Sequence, residues 1–124
     1  MRLFRLVTEI LAFLLVSSAL LNAGLDRYGV EERRKLTFEN PVRVGDTLLP
    51  SGHYEVLHLM SGDSHFMLFK QLGVEKPAEA EVKCNLITLH HKAVATRTIF
   101  TLNAANQRVL QILVFKGDRA QHEF

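Results

Sequence analysis

Six histidines and a single cysteine, Cys84, are the side chains of this 124-residue chain best suited to chemistry. Imidazole nitrogens are metal ligands, provided the fold brings several of them together. On a β-strand two ligands share a face only at alternate positions, or when they come from neighbouring strands. His53 and His58 are five apart and face opposite sides of an unbulged strand, and adjacent His90 and His91 diverge for the same reason. A cross-strand pairing of His58 with His65, around a turn at Ser61-Gly62-Asp63-Ser64, joins two imidazoles with Asp63 beside them. His58, His65, His90 and His91 are therefore the candidate metal ligands, set against the plainer reading of surface or half-buried histidines. Cys84 lies in Val82-Lys83-Cys84-Asn85-Leu86 and shares a face with Val82 and Leu86. That is the pattern of a small buried hydrophobe rather than a reactive thiol.

Nucleophilic catalysis finds less support. The chain has no G-x-S-x-G, no H-E-x-x-H and no glycine-rich phosphate loop. Ser51, Ser61 and Ser64 occupy turn positions, where a hydroxyl commonly satisfies local backbone groups. No catalytic residue and no cofactor is assigned, and an enzyme is not expected.

The elements that must position these residues begin after an export signal. Arg2 and Arg5 form a basic start, Ile10 to Leu21 an apolar run, and Ser17, Ser18, Ala19 and Ala23 supply small residues for cleavage after Ala19 or Ala23. The uncharged run is about a dozen residues, short of the roughly 20 that span a bilayer. A cleaved signal over residues 1–23 is expected, with the protein periplasmic or secreted and touching a membrane only if the signal is retained. Arg2, Arg5 and Glu9 leave with it, so the 15 basic and 13 acidic residues of the chain fall to 13 and 12. This near-balance excludes the basic surface that nucleic-acid binding requires. One cysteine cannot make an internal disulfide, so an apolar core must hold the exported domain together.

Residues 24–35 read as a polar linker or short helix, with Glu31-Glu32-Arg33-Arg34-Lys35 as a solvated lead-in. From Leu36 the punctuation is that of strands: Leu36 and Phe38, then Val42 and Val44, then His53 to Met60 paired with Phe66 to Leu72 as a hairpin. Glu81 to Leu89 follows, Thr96 to Leu102 pairs with Arg108 to Phe115, and Ala120, His122 and Phe124 share one face of a last strand. The expected fold is all-β, a small antiparallel sandwich or flattened barrel of about seven strands over 36–124. Phe66-Met67-Leu68-Phe69 and Leu110 to Phe115 are apolar on both faces, so something must cover the second face. The linker, a partner subunit, a bound apolar ligand or closure of the barrel itself would serve.

Leu49-Pro50-Ser51-Gly52-His53-Tyr54, with the lead-in Val42-Arg43-Val44-Gly45 and the turn Lys116-Gly117-Asp118, resembles short exported bacterial β-sandwich proteins of unknown function that carry an LPxGxY turn and strand. The resemblance implies a fold and no activity, with Pro50, Gly52 and Tyr54 as structural residues. Three functions stay open. One is a non-catalytic exported domain acting as a structural or protein-binding module, as a homodimer or with a protein partner on an apolar strand face. Another is a carrier of a small apolar ligand between Phe66, Phe69, Ile112 and Phe115. The third is a histidine-based metal-binding protein.

Overall fold

Apolar side chains at alternate positions, interrupted by Gly, Pro and Asn, produce nine strands in residues 33–124, the part of the chain that the computed structural model describes. These are β1 (Arg33–Phe38), β2 (Val42–Val44), β3 (Thr47–Leu49), β4 (Gly52–Ser61), β5 (Ser64–Gln71), β6 (Glu79–Thr88), β7 (Arg97–Leu102), β8 (Arg108–Val114) and β9 (Ala120–Glu123). The all-β expectation holds, and no helix occurs among the described residues. The expected signal, and the expected linker up to Glu32, lie outside them. The strand count exceeds seven partly because Gly45, at a φ of 57°, closes a tight hairpin that pairs Val44 with Thr47 and makes β3 a strand.

The strands follow the order β1-β4-β5-β6-β9-β8-β2-β3, with β7 on β8. All neighbours are antiparallel except β2 and β8, whose Val42 and Arg43 run parallel to Arg108 and Val109. The sheet folds back on itself. β2 and β3 pack on β6, and the Phe38 ring of β1 lies 6.4 Å from that of Phe100 on β7. Arg34 of β1 forms an ion pair with the fully buried Asp118 in the β8–β9 turn, and its guanidinium lies 5.7 Å from the centre of the Phe115 ring. Arg34 is thus a closing contact of a flattened barrel. Arg33 to Lys35, expected as a solvated lead-in to the first strand, are its opening residues: Arg33 and Lys35 are exposed and Arg34 is half-buried.

Inside the roll, Phe38, Val44, Leu49, Tyr54, Phe69 and Leu113 form the centre of the core. The doubly apolar strand β8 has a local cause. Ile99 pairs with Ile112 but Phe100 pairs with Leu110, so Gln111 is an extra residue that forms a bulge. A bulge shifts the alternation by one, which turns both Leu110 and Leu113 inward although they are three apart. The outer face of β8, at Ile112, is shared with Leu89, Ala93, Val94 and Ile99 around a groove of about 240 Å³. The segment joining β6 to β7 supplies the partial cover. In β5 the alternation is regular: Met67 and Phe69 point inward while Phe66 and Leu68 lie half-buried outside, opposite Leu59 and Leu57.

The turn before β4 shows why its residues are what they are. Tyr54 is fully buried, and its hydroxyl donates to the Pro50 carbonyl at 2.5 Å, so the ring is anchored without an unsatisfied polar atom. Gly52 has a φ of 151°, which side-chain-bearing residues rarely adopt, and a Cβ there would lie 3.1 Å from Gln71 Nε2. Gly52→Val is expected to lower stability by about 2 kcal/mol or more, read as the free energy of urea unfolding. An unchanged midpoint would contradict this description of the turn.

Candidate functional site

Four neighbouring strands, β4, β5, β6 and β9, each turn one chemically competent side chain into the same end of the barrel: His58, His65, Cys84 and His122. Register explains the convergence. His65 lies directly opposite Cys84, and His58 is two residues from Met60, the partner of His65. On the other edge of β6, His122 is opposite Leu86, two residues beyond Cys84. Each step is a direct or diagonal neighbour on one face, within reach of an imidazole.

The contacts are close. His65 Nδ1 lies 3.1 Å from His58 Nε2, and the two rings stack at 13° with centroids 5.2 Å apart. Cys84 Sγ lies 3.8 Å from His122 Nδ1, and the His122 ring is 5.3 Å from that of His58. One ligating atom each from His58, Cys84 and His122 falls within 4.8 Å of the others. Burial is nearly complete, with exposures of 2% for His58 and Cys84, 0% for His122 and 9% for His65. His58 Nδ1 and His122 Nε2 are buried without a hydrogen-bond partner.

Burial sets the charge state. It lowers the His58 pKa from 6.5 to about 4, helped by His65, and that of His122 to about 3, helped by His58 and His65. Both rings are neutral at pH 7, which leaves one lone pair on each. Burial pushes the Cys84 thiol up to about 11, so without a metal it is neither thiolate nor nucleophile. The arrangement offers three ligand atoms within reach of one another rather than a poised nucleophile. A surface groove of about 330 Å³, lined by Asp63, His65, Lys83 and Cys84 among others, reaches two members of the cluster from solvent.

Of the four histidines named from sequence, the structure brings His58 and His65 together and leaves His90 and His91 exposed in the segment after β6. Asp63 is exposed at the groove rather than beside the rings. Cys84 is buried as expected, but in contact with an imidazole. His122 was missed as a ligand, although its alternation with Ala120 and Phe124 placed it on one strand face. His53 is a surface residue that meets Thr37 Oγ1 at 2.8 Å. The four residues proposed to line an apolar cavity do not form one: Phe69 and Phe115 belong to the core, while Phe66 and Ile112 lie half-buried outside it.

Comparisons of the chain with known protein families, with curated proteins and with solved structures find no match. The functional reading rests on this geometry.

The protein should be acid-sensitive in a defined window. Because the folded pKa values of His58 and His122 lie below the ordinary 6.5, the fold binds fewer protons than the unfolded chain. Their contribution is intact above about pH 6.5, declines steadily below it, and is fully lost once pH has passed about 4 for His58 and about 3 for His122. At about 1.36 kcal/mol per unit, the loss between pH 7 and pH 4 is on the order of 5 kcal/mol, measured by urea unfolding after chelation. His122→Phe should remove about half of that drop. A drop of the same size in His122→Phe would contradict the assignment.

Proposed function

We propose that this domain binds one thiophilic transition-metal ion through His58, Cys84 and His122, with His65 hydrogen-bonded to His58 or joining as a fourth ligand. The observation that carries the reading is the pair of buried imidazole nitrogens without partners beside a buried thiol. A buried polar group without a partner costs about 1–3 kcal/mol, and an ion held by one ring nitrogen of each histidine and by the thiolate would offset part of the cost of burying them. Thiolate and imidazole together suit zinc and copper, and exclude calcium and magnesium, which take oxygen ligands. The groove at His65 and Cys84 gives the ion a way in and the displaced thiol proton a way out. An exported, non-catalytic domain that holds a metal fits the basic and apolar N-terminal pattern and the absence of a poised nucleophile among the described residues.

A second reading keeps the domain as a protein-binding module. Leu57, Leu59, Phe66 and Leu68 form half-buried cross-strand pairs on the outer face of β4 and β5, a surface that a partner would cover.

The metal reading is tested by titrating the reduced protein with Ag(I) or Zn(II) and counting bound ions by native mass spectrometry. One ion per chain is expected, with a rise in melting temperature equivalent to about 2.7 kcal/mol at a hundredfold excess over Kd. Cys84→Ser, with its fold checked by circular dichroism, should lose both. No bound ion in the parent protein, or equal binding by folded Cys84→Ser, would overturn the proposal.

A further inference from the structure

We propose that the ion this site is built for is Cu(I) rather than Zn(II). The inference rests on the metal-binding reading above and goes beyond it in naming the ion.

A count of formal charge in the barrel interior points to the monovalent ion. Among the described residues, the group of donors within ligating reach of one another is His58, Cys84 and His122, and it contains no carboxylate. Imidazoles ligate as neutral groups, so the Cys84 thiolate is the sole negative charge available to the ion. Asp118, the buried acid four residues before His122, is committed to Arg34. Cu(I) on one thiolate gives a neutral assembly. Zn(II) on the same donors leaves a full positive charge among His58, Cys84 and His122, which are at most 2% exposed. An uncompensated buried charge costs several kcal/mol even after relaxation. Structural zinc sites with two to four cysteines avoid that excess, because their thiolates neutralise the dication.

Donor number and softness agree with the charge. Three converging donors satisfy Cu(I), and the thiolate is a soft ligand beside two borderline imidazoles that copper also accepts. The binding step needs no oxidant or reductant. The Sγ–H bond of Cys84 breaks, its proton leaves to solvent, and Sγ–Cu and N–Cu bonds form with copper remaining at +1.

The test is an anaerobic competition against chelators of known affinity, with Cu(I), Ag(I) as a redox-inert monovalent probe, and Zn(II). Cu(I) and Ag(I) should each bind at one per chain, and Zn(II) at least about a hundredfold more weakly. Zn(II) binding as tightly as Cu(I) would overturn this inference while leaving the metal site standing. Failure of all three ions to bind would overturn both. A second arm uses His65→Cys, which adds a thiolate directly opposite Cys84. The charge count then favours the dication, and the Zn(II)-to-Cu(I) affinity ratio should rise by about tenfold or more. An unchanged ratio in the folded variant would overturn the inference.

Discussion

Strand β6 is shared between the two halves of the barrel, and the handover falls at Cys84. Residues Glu79 to Cys84 pair with β5 on one edge, and Asn85 to Thr88 pair with β9 on the other. One ten-residue strand therefore fixes the stagger of both half-sheets. The last residue held by β5 directly precedes the first residue paired with β9. His65 and His122 flank Cys84 because of that stagger, and His58 follows through the β4–β5 hairpin register. A slip of one residue in either ladder would turn the donors of one half-sheet to the opposite face. The closing contacts, Arg34 with Asp118 and Phe38 with Phe100, hold the roll that keeps this face inside.

The cluster is an unusual use of core volume. Phe115 touches the edge of His122 at 6.4 Å between centroids, and the apolar core continues beyond it through Phe69 and Leu113. Leucine or phenylalanine at positions 58 and 122 would fill the same face without leaving ring nitrogens unpartnered or introducing sensitivity to acid. Apolar replacement of buried polar groups is often neutral or stabilising. Retaining three imidazoles and a thiol there is costly for folding and sensible for coordination. This contrast separates the cluster from His53, His90 and His91, whose exposure costs the fold nothing.

Much of the architecture could be read from local pattern. Alternation in His53 to Met60 and in Phe66 to Leu72, with a turn at Gly62, gave the hairpin and the proximity of His58 to His65. Pro50 and Gly52 were legible as turn residues, and Tyr54 as an aromatic ring directed into the core. Three things were not legible. The bulge at Gln111 leaves no mark in composition, so the doubly apolar β8 looked like a strand covered on both faces. The Arg34–Asp118 pair joins residues 84 apart in sequence. The meeting of Cys84 with His122, 38 residues apart, depends on β9 returning to β6 rather than pairing only with β8. Burial of Cys84 was inferred from its neighbours, whereas its partner needed the register of a non-local ladder.

X-ray absorption spectroscopy of the ion-loaded protein at the metal edge tests the central claim most directly, that β4, β6 and β9 bring His58, Cys84 and His122 into one coordination sphere. The expected result is one sulfur scatterer at about 2.2–2.3 Å together with two or three imidazole nitrogens at about 2.0–2.1 Å. A shell of light atoms alone, with no sulfur, would place the ion elsewhere and contradict the convergence of His58, Cys84 and His122 on a metal.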